Sequence, residues 1–463
     1  MQDTGVPSRI ERLSSATRPR FAYLIAAALT LHLALAIGIH IIGRFALLPE
    51  TFDANGIGIT FAVDSASYRN DAIGLTDHLF HEGFAKWLAV PAPFHVHLYS
   101  LLFAILGPWV GFNTLAAEPL NVLYYLLILV LTFQLGREAF DRRVGLIAAG
   151  FVALWPSFLL HTTQLLRDPL FIAAMLTLVL LNSTWLTRVY SWGRGLVAGT
   201  VGGIACLTLW LIRGDMWEVI VAIVFLGIGF LILRQLAERQ ALPGNMLGAT
   251  VLLVTVLTVP RIVESYRQSD SSLVQFTKRA EIAEGAAPTT APSSAPQALA
   301  VATPSIWSRL PARIGLLRKG FVLTYPEAGS NVDTNVELTS TKDIVYYLPR
   351  AAIIGFFSPF PNMWFTAGVQ VGFAGRLLSG LETLVIYAFG FFAVIGLWRA
   401  RSLSAWLLLL VAALGSTALG LVVVNISTLY RMRYSFWILL VILGVAGAVQ
   451  LFGQVACREE DSD

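Results

Sequence analysis

Charged side chains are scarce in this chain, and several of them stand close to the ends of apolar stretches. Asp64 precedes Tyr68 by four residues, so the two side chains share one face if this stretch is helical. A carboxylate in such a position can accept a proton as a general base. Because Asp is also a favoured helix-capping residue, a structural role for Asp64 stays open.

A second set of charged residues, in three later turns, could bind an anion. The guanidinium group of arginine can donate two hydrogen bonds to one phosphate. An Asp followed by Pro169 also suits the start of a helix, and the arginines could simply pair with the aspartates. We interpret the following residues, together with Tyr68, as candidates for substrate binding: Arg167, Asp168, Arg213, Arg431 and Arg433.

Histidines and cysteines give little support for a metal site. His78, His81 and Glu82 have a spacing that could bind a metal from one helix face. The same spacing is also typical of the solvent-facing side of an amphipathic helix. Such a helix would lie in the membrane interface with Lys86 and Trp87 as anchors. The chain has only 2 cysteines, which exclude a cysteine metal site and a disulfide framework. We predict no metal ligand and no cofactor.

The composition indicates which kind of secondary structure must position these residues. Of 463 residues, 56% are hydrophobic and 13% are charged, against roughly 25% charged in an ordinary soluble domain. The mean hydropathy is +0.70. The net charge of +4 is small, without a basic stripe, and excludes nucleic acid as a partner. The sequence predicts an all-α polytopic membrane protein whose partner is the lipid bilayer.

Ten stretches have the length and hydropathy that a membrane span needs. They are 21–43, 119–136, 145–164, 169–187, 195–212, 216–234, 243–260, 381–398, 404–424 and 434–453. Two shorter apolar runs, 94–106 and 346–358, are interpreted as interfacial or re-entrant pieces. His32, His40 and His161 are the only ionisable residues predicted to lie well inside spans. This scarcity argues against a pump or channel, which needs polar groups at the membrane midplane.

Arginine-bearing loops predict the orientation and the division of the chain. The loops at 137–143, 188–194, 234–239 and 399–401 fall on one side, which we expect to be cytoplasmic with both termini. The predicted parts are a cytoplasmic segment 1–20, an N-terminal transmembrane module 21–260 with external loop 44–118, an external segment 261–380, transmembrane helices 381–453 and a cytoplasmic tail 454–463. Interfacial helices are expected in the first external loop, and the external segments could form a small cap. Within the second segment, residues 281–305 are expected to be disordered.

Several motifs resemble those of the GT-C superfamily of membrane glycosyltransferases, which includes aminoarabinose transferases and protein O-mannosyltransferases. Asp64, Tyr68 and Ala72 stand in the register of that family's first external loop. Gly83 and the prolines at 91 and 93 follow in the family's order, and Asp168-Pro169 resembles its second external turn. Residues 349–361 and 425–434 look like late motifs of bacterial members. Two positions depart from the pattern: Ser65 stands where many members have a second acid, and Val90 stands where a basic residue is often found.

The resemblance implies an inverting glycosyltransferase of a bacterial cytoplasmic membrane, with its site on the external face. The implied donor is a polyprenyl-phosphate-linked sugar, and the acceptor is a lipid, a glycan or a protein. Asp64 would then be the general base, and the arginines would bind the lipid phosphate. A divalent metal is not supported, because Ser65 replaces the second acid.

Three alternatives stay open from the sequence. An O-antigen polymerase or ligase would also use external arginines, but it needs no acidic residue in the first loop. A transporter or flippase would need an aqueous cavity with cationic groups at bilayer depth. A membrane scaffold without enzymatic activity would tolerate the loss of Asp64, Arg167 and Arg433 alike.

Overall fold

The computed structural model describes residues 9–48, 62–267, 306–324, 326, 328–366, 368, 371–400 and 402–460. These residues contain no β-strand, although isolated backbone bridges join Asn331 to Asn425 and Gly368 to Gly372. The chain is an all-α polytopic membrane protein, as its hydropathy predicts. The stretch 281–305, which we predict to be disordered, lies outside the described residues.

Seventeen helices are present in the described part of the chain. They are α1 (Arg9–Arg44), α2 (Val63–Glu82), α3 (Phe84–Ala89), α4 (Phe94–Val110), α5 (Thr114–Ala139), α6 (Arg142–Ala153), α7 (Pro156–Thr162), α8 (Asp168–Thr187), α9 (Trp192–Arg213), α10 (Trp217–Glu238), α11 (Pro243–Arg267), α12 (Ile306–Thr324), α13 (Thr341–Phe357), α14 (Gly372–Ala400), α15 (Leu403–Val422), α16 (Ile426–Met432) and α17 (Tyr434–Glu460). Two short 3₁₀ helices, Gly214–Met216 and Pro361–Met363, lie between them.

Eight stretches of the described residues are long and apolar enough to cross a membrane, or nine if α6 and α7 form one span bent by 68°. The longest, Trp192–Glu238, has 47 residues. As one straight helix it would be about 70 Å long, more than twice the hydrocarbon thickness of about 30 Å. Arg234 Nη1 near its end donates a 2.8 Å hydrogen bond to the carbonyl oxygen of Arg188, just before its start. The stretch therefore folds back on itself as α9 and α10, which gives nine passes among the described residues, or the ten that we predict if α6 and α7 form one span.

The predicted arginine-bearing loops lie at one end of the bundle, which we call the basic end. Arg188 Nε donates a 2.8 Å hydrogen bond to Glu138 Oε1, which joins the first two loops, and its carbonyl group binds Arg234 from the third. Ser183 near the end of α8 hydrogen-bonds Ser404 at the start of α15, which follows the fourth loop. The grouping of these loops agrees with the charge pattern of the sequence.

Helices α2 and α3 correct one prediction for the first external loop. The helical pattern is broken at Gly83, whose φ of +85° is easy for glycine and costly for other residues. Trp87 of α3 does not anchor in the interface: its ring is 4% exposed, and its indole N–H donates a 2.9 Å hydrogen bond to Ser100 Oγ of α4. A buried indole needs such a partner, and α4 supplies it. Phe80, Phe84 and Leu88 are the large exposed apolar side chains of these two helices.

The two short apolar runs form 17-residue helices, α4 and α13, and neither is among the candidate spans. Helix α13 packs tightly on α15, because a Cβ on Gly355 would lie 2.0 Å from the carbonyl oxygen of Ser416. The loop before α13 is fixed by buried Arg318 of α12. This arginine donates to the carbonyl oxygens of Val336 at 3.2 Å and Leu421 at 3.1 Å, and so joins the loop to the end of α15.

Carboxylates inside spans were missed by the sequence analysis. Helix α5 begins before the predicted span 119–136 and so includes Glu118. Helix α14 begins at Gly372, so Glu382, which we predict at the edge of the span 381–398, lies well inside a membrane-spanning helix; both side chains are buried. Glu118 Oε1 lies 2.8 Å from Nδ1 of His32. The expectation that histidines alone are ionisable inside the spans was therefore wrong.

Candidate functional site

Asp64 lies in the first turn of α2, and its carboxylate does not cap that helix. The capping position is Ala62, and no side chain bonds to the backbone N–H groups there. Arg431 of α16 donates a hydrogen bond to Asp64 Oδ2 instead, across 367 residues of chain. About 31% of the Asp64 side chain is exposed, so this carboxylate can still be reached from outside the protein.

Asp168 is the second carboxylate that Arg431 contacts. Arg431 Nε lies 3.1 Å from Asp168 Oδ2, and Arg213 at the end of α9 donates a hydrogen bond to Asp168 Oδ1. The Asp168 side chain is only 5% exposed and forms no helix cap, although α8 begins at this residue and Pro169 follows. A buried charge is stable only when it is paired. Asp168 is paired with both Arg213 and Arg431, and so holds these two arginines close together.

Five residues thus form what we call the charge cluster, brought together from four separate parts of the chain. They are Asp64, Arg167, Asp168, Arg213 and Arg431. The cluster lies at the end of the bundle opposite the basic end, because it joins the start of α8 to the end of α9. Three arginines face two aspartates within it, with Asp215 of the adjacent 3₁₀ turn close enough to interact with Arg167.

Arg167 differs from the other two arginines of the cluster because its guanidinium forms no hydrogen bond to Asp64 or Asp168, whereas Arg213 and Arg431 do. Its Nε is buried and has no hydrogen-bond partner among the described residues. Burial opposes its charge, but Tyr68 and the carboxylates of Asp215, Asp168 and Asp64 raise the pKa of Arg167 above its usual range. A buried cationic donor without a partner is the arrangement expected where an anion binds.

Electrostatics keep Asp64 ionised. Burial raises the pKa of Asp64, but the charge of Arg431, the hydrogen bond it donates and the charge of Arg167 together lower that pKa by more. The net effect places the pKa of Asp64 below its ordinary value of 3.8. The carboxyl group is therefore an anion at neutral pH, as a proton acceptor must be.

Tyr68 lies one turn after Asp64 and contacts a histidine that the sequence analysis left without a role. Its ring meets His95 of α4 edge-on, with 4.4 Å between ring centroids. Burial lowers the pKa of His95 well below its usual range, so the ring is neutral. Neither ring nitrogen of His95 has a hydrogen-bond partner among the described residues. The packing of α4 beside α2 brings His95 to Tyr68, and the sequence pattern does not indicate this contact.

Arg433 does not join the charge cluster, although it is two residues from Arg431. Its guanidinium is fully buried and donates to the carbonyl oxygens of Gly355 and Ser358 at the end of α13. The same group lies 3.6 Å from the centroid of the Trp437 ring, a cation–π contact. The structure thus places Arg433 between α13 and α17 rather than beside Asp64.

A buried polar chain fixes the segment that carries Arg167. The Tyr99 hydroxyl donates to Asn121 Oδ1 at 2.9 Å and to the carbonyl oxygen of Leu166 at 3.3 Å. Ser65, the residue after Asp64, accepts a 3.2 Å hydrogen bond from the backbone N–H of Leu165. These contacts tie α2, α4 and α5 to the turn before α8, so they set the position of Arg167 and Asp168 relative to Asp64.

An apolar cavity opens beside the charge cluster between α10, α12 and α15. Its empty volume is about 810 Å³, part of which is open to solvent. Leu317, Phe321 and Leu421 are among its apolar walls, and Met432, next to Arg431, lines it as well. Arg313 and Glu218 form a 2.7 Å ion pair at its polar edge.

The described residues contain no group of three or more His, Cys, Asp or Glu side chains that could hold a metal ion. His78 and His81 face Glu82 and Asp77 in exposed pairs along α2, at 2.8 and 3.0 Å. These pairs form the exposed polar face of α2.

No protein-family model and no curated protein matches this chain. Two solved structures are similar to it. One is the archaeal oligosaccharyltransferase AglB from Archaeoglobus fulgidus in complex with an inhibitory peptide and a dolichol-phosphate, with 13% identity, a TM-score of 0.47 and coverage of 96% of this chain and 52% of that chain. The other is the Archaeoglobus fulgidus oligosaccharyltransferase in the apo form, with 14% identity, a TM-score of 0.43 and coverage of 95% and 52%. This chain spans about half the length of either protein.

Proposed function

We propose that this chain is a GT-C-type membrane glycosyltransferase that moves a sugar from a polyprenyl-phosphate donor to an acceptor hydroxyl or amine. The observation that carries the proposal is the meeting of a partly exposed, ionised Asp64 with buried arginines at one end of a bundle of membrane-spanning helices. A proton acceptor beside a set of phosphate ligands is the combination that such a transfer needs.

In this reaction Asp64 accepts the proton of the acceptor group. The acceptor oxygen or nitrogen forms a bond to the anomeric carbon of the sugar, while the bond from that carbon to the phosphate oxygen breaks. The lipid phosphate leaves with the electron pair, and attack from the opposite side inverts the anomeric centre. Asp168 is too deeply buried for the role of base and instead holds Arg213 and Arg431 in place.

The arginines of the charge cluster stabilise the departing phosphate. Arg167 is the first candidate because its guanidinium does not donate to Asp64 or Asp168, whereas Arg213 and Arg431 do; these two add positive charge nearby. Charge that develops on the leaving group is stabilised most strongly by donors already fixed in place. Tyr68 borders the same space as a neutral hydroxyl, because burial raises its pKa. We propose no phosphate contact for Arg433.

The apolar cavity beside Met432 suits the polyprenyl chain of the donor, since the phosphate would then reach the arginines while the lipid stays in apolar surroundings. We propose a metal-independent transfer, because Ser65 stands where a second acid would be and its hydroxyl already accepts a hydrogen bond from Leu165. The acceptor class, whether lipid, glycan or protein, is left to experiment.

We further propose that the protein resides in a bacterial cytoplasmic membrane, with the basic end and both termini in the cytoplasm. The positive-inside rule supports this orientation because the arginine-bearing loops share that end. The charge cluster then faces the external side, where sugars on lipid carriers are available without a nucleotide.

Mass spectrometry of lipid-linked sugars and surface glycans tests the proposal in cells with the intact gene, a deletion or Asp64→Asn. We expect Asp64→Asn to lower transfer by about 10²-fold or more, with loss of one sugar from a glycan and accumulation of its lipid-phosphate donor. The matched control is Asp77→Asn, which removes an exposed carboxylate from the same helix.

A wild-type glycan profile in Asp64→Asn, together with a phenotype in the deletion, would contradict the role of Asp64 as base. An O-antigen polymerase or ligase would then fit better, because those enzymes need no acidic residue in this loop. A scaffold would give a normal profile in both strains.

A further inference from the structure

Glu382 is a buried carboxylate in the membrane-spanning part of α14 that the proposed reaction does not use. Glu382 is only 5% exposed. No Lys, Arg or His among the described residues forms an ion pair with it. An ionisable group in such a place is costly and commonly marks a functional requirement.

Neutral donors surround this carboxylate instead. Glu382 Oε1 accepts a 2.8 Å hydrogen bond from the backbone N–H of Ser157. Glu382 Oε2 accepts from the hydroxyl groups of Ser157 and Tyr430. Because the Ser157 hydroxyl hydrogen is used in this way, the Tyr434 hydroxyl, 2.7 Å from Ser157 Oγ, is the donor in that contact. The carboxylate therefore binds two different helices, α7 and α16, through three hydrogen bonds.

Both of these helices lead to the charge cluster. Ser157 is in the first turn of α7, directly after the 68° bend from α6, and α7 is followed by the segment that carries Arg167 and Asp168. Tyr430 is the neighbour of Arg431 in α16, a helix of only seven residues. Neither α7 nor α16 is long enough to hold its own position by helix packing alone.

We infer that Glu382 is a positioning residue that fixes α7 against α16 and so sets the distance of Arg431 from Asp64, Arg167 and Asp168. Glu382 touches no residue of the charge cluster and acts through Ser157 and Tyr430. Only the activity measurement rests on the proposed function. The geometry of the charge cluster can be measured without it.

The geometric test uses spin labels at Asn70→Cys in α2 and Ser427→Cys in α16, two exposed positions, in a Cys206→Ala/Cys457→Ser background of the full chain. Pulsed electron resonance gives the distribution of distances between the labels. We expect Glu382→Gln, which replaces an acceptor oxygen by a donor, to broaden or shift this distribution. Tyr430→Phe removes one of the three hydrogen bonds and is expected to do the same to a smaller extent.

The matched control is Glu138→Gln, which changes a similarly buried carboxylate at the basic end and should leave the distribution unchanged. The activity readout is the KM for a polyprenyl-phosphate sugar. We expect Glu382→Gln to raise it about tenfold, since small misplacements of binding groups have effects of that order. The double variant with Tyr430→Phe should show less than the product of the two single effects.

A wild-type distance distribution in both Glu382→Gln and Tyr430→Phe would overturn the inference. If Glu382→Gln fails to fold, Tyr430→Phe alone decides, because it leaves the carboxylate and its Ser157 bonds in place. A changed distribution in a protein that transfers no sugar at all would keep the positioning role and reject the proposed function.

Discussion

Arg431 and Arg433 lie only two positions apart, but the two arginines have different roles. Arg431 contacts the carboxylates of Asp64 and Asp168, whereas Arg433 is buried against backbone carbonyl groups and the Trp437 ring. The side chain of Arg431 is 13% exposed, so it borders the open side of the cluster. Its charge is the main influence that opposes the effect of burial on Asp64.

This balance predicts a pH effect. With Arg431 present, the pKa of Asp64 lies below 3.8, so activity that needs the carboxylate is present above that pH and is lost as the pH falls through the pKa. In Arg431→Gln, burial acts without the opposing charge, and the acidic limb of the pH profile of kcat/KM should move up by about one unit or more.

The measurement is the initial rate of sugar transfer across the acidic range. Arg350→Gln is the control, because Arg350 pairs with Asp333 near the start of α13, outside the cluster, and it should leave the acidic limb in place. Superimposable acidic limbs for Arg431→Gln and the unchanged protein would show that Arg431 does not tune Asp64.

At the scale of elements, the ends of two spans, α8 and α9, meet helices that are not spans to form the site. Helices α2, α7 and α16 each hold or lead to a member of the charge cluster, and none of them is a full span. The break between α2 and α3 turns Trp87 into the core, where it binds Ser100. That break depends on the positive φ of Gly83.

Substitution of Gly83 tests this dependence on backbone conformation. A Cβ at Gly83 would meet nothing within 4 Å, so the strain in Gly83→Ala would come from its φ of +85° alone. We expect this variant to be less stable by about 1–2 kcal/mol. Gly74→Ala is the control: Gly74 lies within α2, has equal space and a helical backbone, and should gain up to about 1 kcal/mol.

Thermal unfolding in detergent compares the two variants. Equal melting temperatures for Gly83→Ala and Gly74→Ala would contradict the argument that the backbone at Gly83 sets the break.

At the scale of the whole molecule, the membrane-spanning helices separate two chemically different ends. The basic end carries the arginine-bearing loops, joined by the contacts of Arg188 with Glu138 and Arg234. The opposite end carries the charge cluster, the cavity and the loop held by Arg318. Close glycine contacts, such as Gly195 against Gly244, bring α9 and α11 together along their length.

This separation predicts opposite accessibility for single cysteines introduced at the two ends. A membrane-impermeant thiol reagent should label Asn70→Cys in intact cells and should label Gln240→Cys only after the cells are broken, since both positions are exposed. The background lacks Cys206 and Cys457. Labelling of Gln240→Cys in intact cells would reverse the proposed orientation and place the charge cluster in the cytoplasm.

The sequence alone determined the fold class, the approximate position of most spans and the grouping of arginine-bearing loops. These features depend on local hydropathy and on charge next to a span, which can be read one stretch at a time. The sequence also named all five members of the charge cluster, because charged residues are scarce in this composition and stand near the ends of apolar stretches.

Only the tertiary structure decided which of those charges meet. The contact between Asp64 and Arg431 spans 367 residues, and no local pattern encodes a contact of that length. The roles of Arg433, Trp87 and Glu382 likewise depend on the helix that happens to lie beside each of them. A buried polar group takes the partner that folding brings within reach, and that partner is fixed by packing between distant segments.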